Sequence, residues 1–198
     1  MKANLVISCP ATSRSGYGDH SRDLIRSLIA MDKFNVQVLD MPWGSCPMDA
    51  LSIKDIDIAS RIIKEQMKEQ PDVWIQVSVP QEFRPIGKYN IGITAGIETT
   101  ICAAEWLQGC NIMDYIIVPS KHAKDVFENT RFDKKDQAGN IIETLQLTTK
   151  VDVLFEGLDM NVFNKKPNND FKLDIKEDFA FLYVGHWLKG SLGQDRKD

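Results

Sequence analysis

Short runs that are almost wholly apolar alternate along the chain with longer stretches in which apolar residues recur every three or four positions. The runs at Asn4–Ser8, Asn35–Leu39, Val73–Ser78, Asn90–Thr94, Tyr115–Val118 and Val151–Leu154 read as strands. The stretches at Gly18–Met31, Ile56–Lys68, Ala103–Cys110 and Lys121–Asn129 read as helices. In the first of these Leu24, Ile25, Leu28 and Ile29 keep helical spacing; in the second Ile58, Ile62 and Met67 keep it less strictly. Ser120, after Pro119, predicts an N-cap for the last helix. Continuously apolar strands separated by helices predict a mainly parallel sheet covered on both faces, a Rossmann-like doubly wound α/β domain.

Two regions break the alternation. Arg131–Lys150 is polar, with the turn sequence DQAGN between FDKK and IIETLQL, and predicts an inserted β-hairpin. Asn164–Asp178 is charged and turn-rich and predicts a linker. A further strand-like run, Phe179–Val184, follows it, and then GHWLKGSLGQDRKD. The expected organisation is one domain over 1–165, a linker over 166–178, and over 179–198 the opening strand and loop of a second domain that is cut short.

Composition narrows the partners. The formal charge of −4 is spread without a basic block, which argues against binding nucleic acid through its phosphates. No run approaches the roughly 18 apolar residues of a membrane span. The apolar stretch NLVIS near the N-terminus is shorter than the roughly 7–15 residues of a secretory signal core. Cys9, Cys46, Cys102 and Cys110 lack paired C-x-x-C spacing, and the chain has 3 histidines, so no metal site is expected. Four free thiols fit a reducing, cytoplasmic setting.

Candidate chemistry gathers after the strands. In SRSGYGDHSR, Gly16 and Gly18 follow the first strand and open the first helix, where freed amides and the helix N-terminus attract phosphate; a turn that needs glycine for its backbone is the plainer reading. Asp40, at the end of the second strand, is placed to hold a dinucleotide ribose, but seven residues, Cys9 to Ser15, separate Ser8 from Gly16, more than such a fingerprint has. Gln81 and Glu82 after the third strand, and Glu98 and Thr99 after the fourth, lie at the same carboxyl edge, as do Tyr17 and Ser120. Tyr17, Gln81, Glu82, Thr99 and Ser120 are therefore candidates for holding a hydroxylated ligand. Glu98 is the candidate catalytic carboxylate, able to orient a hydroxyl or stabilise developing positive charge; an ordinary surface glutamate is the alternative. Trp74 and Trp106 are expected in the core, and His20 and His122 in helix-surface or capping roles.

The succession SGYGDHS, YNIGITAGIETT, EWLQGCNIMDYIIVPSKHAKDVF, EGLDMNVF and FLYVGHW…DRKD resembles the amino-terminal half of GT-B glycosyltransferases of the retaining group related to glycogen and sucrose synthases. The VPS-helix block followed by G-x-D-x-x-x-F is the most specific part, and the glycine loop the least. The resemblance implies an acceptor-side domain that faces a nucleotide-sugar-binding domain across a cleft. It implies that Gly16 and Gly18 approach the donor diphosphate and that Arg196 and Lys197 neutralise it as it leaves. The nucleotide-sugar would be a co-substrate, with no other cofactor, and a glycan or other hydroxyl compound the acceptor. The chain departs from the family in having no histidine after its middle strands and in lacking the paired-glutamate motif of the second domain. Two further functions compete: a non-catalytic glycan- or phosphate-binding module, and a nicotinamide-dependent oxidoreductase built on Gly16 and Asp40.

Overall fold

The computed structural model describes residues 2–161, 163–166 and 174–182. It divides into two units, Met1–Gly157 and Leu158–Asp198. The first holds all the regular structure found among the described residues. Its strands are β1 (Ala3–Cys9), β2 (Phe34–Asp40), β3 (Val73–Val77), β4 (Tyr89–Ile93), β5 (Tyr115–Val118), β6 (Arg131–Lys135), β7 (Ile141–Gln146) and β8 (Val151–Val153). Its helices are α1 (Gly16–Met31), α2 (Ile56–Ala59), α3 (Ala104–Asn111) and α4 (Lys121–Asn129).

Six strands form one parallel sheet in the order β2-β1-β3-β4-β5-β8, and β6 and β7 form a separate antiparallel hairpin. The expected doubly wound α/β fold and inserted hairpin are both present. Alternation along each strand divides the core between the two faces. Leu5, Ile7 and Cys9 of β1 pack with Ile75 and Val77 of β3 beneath Ile25 of α1 and Ile58 of α2. Val6 and Trp74, one residue out of phase, belong to the opposite face with Leu107 and Cys110 of α3 and Val126 and Phe127 of α4. Trp74 is buried, and Trp106 packs partly buried against Phe127 at 6.1 Å.

The second expected helix is a correction. A 3-10 turn over Ile53–Asp55 leads into α2, which ends at Ala59, and the chain then meets the edge of β2. Val38 donates to the Arg61 carbonyl at 2.9 Å, and Ile63 to the Val38 carbonyl at 2.8 Å. The exposed edge of β2 thus captures a segment whose own preference is helical, because pairing an open strand edge satisfies backbone groups that a surface helix would leave there. Residues 64–71 carry no regular structure.

The hairpin is moored at its base. Asn111 of α3 donates to the Gln146 carbonyl at 2.8 Å and accepts from the Thr148 amide at 2.8 Å, while Leu145 and Leu147 pack against the core.

In the second unit, Asp159 shapes a turn, its carboxylate accepting from the Asn161 amide at 2.9 Å. Residues 179–182 show no strand pairing, with Phe181 and Leu182 exposed. Residues 183 and 184 of the expected strand lie outside the described residues.

Candidate functional site at the carboxyl edge

The strand order places β1 between β2 and β3, so the chain leaves β1 in one direction along the sheet and continues from β3 in the other. Such a switch point opens a crevice at the carboxyl ends of the two strands. Buried polar residues mark it here: Ser8 and Gln76 stand next to last in β1 and β3, and Ser78 and Thr94 directly follow β3 and β4.

The loop from Pro10 to Ser15 is built rigidly over β1. Asp40 accepts from the Thr12 amide at 3.0 Å and the Thr12 hydroxyl at 2.7 Å. Arg22, one turn beyond Gly18 on α1, is buried and donates to the Ala11 and Ser13 carbonyls at 2.8 and 3.0 Å, with Asp19 as its counter-ion. Arg14 donates its amide to the Pro47 carbonyl at 2.9 Å, and Ala50 donates to the Thr12 carbonyl at 2.9 Å, which ties the following 41–50 loop to the first.

The two glycines differ sharply. Gly16 is exposed, and a Cβ there would meet nothing within 4 Å. At Gly18 a Cβ would lie 2.1 Å from the Ser13 carbonyl oxygen. Gly18 is therefore required by the chain's own loop, which already fills the space over it. Ser15 caps α1, accepting from the Gly18 amide at 3.1 Å. The amides of Gly16 and Tyr17 have no acceptor among the described residues. They are the donors that a bound anion would meet at this helix end.

Tyr17 crosses the crevice. Its hydroxyl accepts from the Ala95 amide at 3.0 Å and lies 3.3 Å from the Thr94 hydroxyl. The glycine loop and the AGIETT loop are thereby brought together. Trp43, from the 41–50 loop, stacks on the Tyr17 ring with centroids 4.2 Å apart. His20 lies one helical turn beyond Tyr17, on the same side of α1, and its Nδ1 faces the Glu156 carboxylate at 3.5 Å. Segments after β1, β2, β4 and β8 all contribute.

The remaining candidates are at the same edge. Gln81 and Glu82 are exposed on a 3-10 turn after β3. Phe83, fully buried, anchors that turn, and Gly109 of α3 lets the helix approach so closely that a Cβ would lie 1.8 Å from the Pro80 carbonyl oxygen. Ser78 donates to the Glu82 carboxylate, and Gln76 to the Glu82 carbonyl at 2.8 Å. Glu98 and Thr99 are exposed in the loop after β4, the Thr99 hydroxyl donating to the Ile101 carbonyl at 2.7 Å. Ser120 caps α4, accepting from the Ala123 amide at 3.1 Å. Arg196 and Lys197 lie outside the described residues.

Trp43, Arg22 and the His20–Glu156 pair went unmarked in the sequence. Arg22 had a signal, since it stands four residues after Gly18 on the face that must meet the loop. His20 and Glu156 had none, because only the fold brings them together.

A depression of about 860 Å³ lies at the opposite edge, lined by Asn4, Asn35, Gln37 and the segment from Ser60 to Pro71. Its lysines and glutamates (64, 65, 68 and 69) are exposed and balanced in charge. Arg61 in its lining has a buried Nε without a partner among the described residues, and its Nη1 donates to the Val36 carbonyl at 3.3 Å.

Comparison with known protein families, with curated proteins and with solved structures finds no match. The fold itself defines the class, a Rossmann-like α/β domain built on a parallel sheet.

Proposed function

We propose that this chain is the acceptor-side part of a nucleotide-sugar-dependent glycosyltransferase whose reaction needs a donor-binding domain opposite the crevice. The observation that carries the reading is the bond between Tyr17 and Ala95. It joins two of the sequence blocks that resemble such enzymes into one site, at the edge where this fold holds ligands. In transfer, the bond from the anomeric carbon to a diphosphate oxygen breaks and one to the acceptor hydroxyl oxygen forms. The amides of Gly16 and Tyr17 would face the charge gathering on the diphosphate, and Glu98 the positive charge on the sugar ring.

Asp40 weighs against the oxidoreductase alternative, since both Thr12 bonds would have to be broken for it to hold a ribose. A non-catalytic glycan- or phosphate-binding module draws on the same open amides without the chemistry. Calorimetric titration with UDP- and GDP-hexoses beside a product assay separates the two. Weak binding without turnover is expected of residues 1–198, because orienting donor and acceptor across a closed cleft supplies up to about 7–11 kcal/mol of such a barrier. A longer polypeptide carrying the donor-binding domain should turn over; if it binds donor without turnover, the module reading replaces the enzyme. Robust turnover by residues 1–198 alone would show the active site to be placed wrongly.

A further inference from the structure

We infer that the acceptor bound in this crevice is a pyranose sugar, seated against the Trp43–Tyr17 stack with one hydroxyl on His20; the inference rests on the transferase reading and adds the acceptor's chemical class. Two features of the first unit meet here, and a third, their placement on one helix, joins them. The first is the aromatic stack. Trp43 belongs to the 41–50 loop, its indole held against Tyr17 at 4.2 Å and 24° while remaining partly exposed. The phenol beneath it is itself fixed by Thr94 and Ala95. A rigid aromatic surface beside hydrogen-bonding groups suits a ring with an apolar C–H face and a polar rim.

The second feature is the His20–Glu156 pair. The side chain of His20 is 22% exposed, and its Nδ1 faces the Glu156 carboxylate at 3.5 Å. A carboxylate on that side orients the ring with Nδ1 toward it and leaves Nε2 for another partner. A sugar hydroxyl, which both donates and accepts, matches Nε2 in either role. The third feature is their common placement on α1: Tyr17 and His20 stand three residues apart on one face, so platform and imidazole are neighbours. An alkyl alcohol would use His20 but bring no ring to the stack, and neither would a serine hydroxyl on a peptide.

The test uses the 198-residue chain and saturation-transfer NMR with methyl α-glucopyranoside and methyl α-mannopyranoside, alongside butanol and a serine-containing peptide. At least one glycoside should receive saturation, most strongly at ring C–H protons. Trp43→Leu should weaken its binding about tenfold, and His20→Gln about fivefold. Glu156→Gln, at a half-exposed surface position, should weaken it less than His20→Gln while leaving the melting temperature unchanged. It keeps the test decisive if Trp43→Leu loosens its loop. Glycoside binding indifferent to His20→Gln and Glu156→Gln would overturn the inference, as would preference for butanol or the peptide, or no binding at all. Binding of UDP- or GDP-hexose in the same sample separates the outcomes. If the nucleotide-sugar binds and no glycoside does, the acceptor class is wrong and the transferase reading survives; if neither binds, both fall.

Discussion

The Tyr17 hydroxyl accepts a hydrogen bond from the Ala95 amide at 3.0 Å, joining the first turn of α1 to the loop that leaves β4, with β3 lying between the strands that carry them. A single phenol thereby spans the switch-point crevice. Tyr17→Phe should keep the Trp43 stack and lose this bond, costing about 1 kcal/mol in thermal unfolding. Amide hydrogen exchange gives the sharper reading: Ala95 should exchange faster in the variant while β1 and β3 amides stay protected. Unchanged exchange at Ala95 would mean that the bond does not hold in solution.

Gly16 and Gly18 should respond oppositely to alanine. At Gly18 the new Cβ meets the Ser13 carbonyl at 2.1 Å, and the loop held by Arg22 cannot yield cheaply, so a loss of roughly 1–3 kcal/mol is expected. At Gly16 nothing stands within 4 Å, and alanine should be neutral or stabilise by up to about 1 kcal/mol through the unfolded chain. Equal effects at both positions in denaturant melts would contradict the packing described for Gly18.

Asp152 on β8 governs part of the acid response. The Tyr115 hydroxyl donates to its carboxylate, and Lys150 stands at 3.0 Å, which together hold its pKa down to about 2 from the ordinary 3.8. A carboxylate depressed in the folded state stabilises fully above its unfolded value and loses that contribution as pH falls toward its folded one. The wild type should therefore lose stability between about pH 3.8 and 2, and Asp152→Asn should flatten that part of the acid-unfolding curve. Identical curves for the two proteins would remove Asp152 from the acid response.

The thiols should fall into two classes. Burial pushes Cys9 and Cys110 up to about 12, and burial also raises Cys102. Cys46, partly exposed in the 41–50 loop, is not buried with them. Native protein treated with a chromogenic disulfide should release one equivalent quickly from Cys46 and the other three only on unfolding. Prompt reaction of Cys9 would mean that the floor beneath the glycine loop opens readily.

The sequence pattern carried the sheet almost to the residue, as at Tyr115–Val118, because continuous apolar runs report burial on both faces. It failed at Ile56–Lys68 for a reason that periodicity cannot contain: the competitor for that segment was the edge of β2, remote in sequence and visible only once the strand order is known. The same limit applies to the site. Tyr17, Gln81, Glu82, Glu98, Thr99 and Ser120 reach one edge because each follows a parallel strand, which the sequence order reveals. That Gly18 serves its own loop, that Asp40 holds Thr12 and that Glu156 meets His20 are consequences of packing between distant segments.

The most direct test of the carboxyl-edge site is a backbone amide NMR titration of the 198-residue chain with UDP- and GDP-hexose. The account predicts shifts concentrated at Gly16, Tyr17 and Ala95, saturable and reduced by competing inorganic phosphate, with no product formed. Shifts concentrated instead around Asn35, Gln37 and the segment from Ser60 to Pro71 would put the ligand at the amino edge and contradict it.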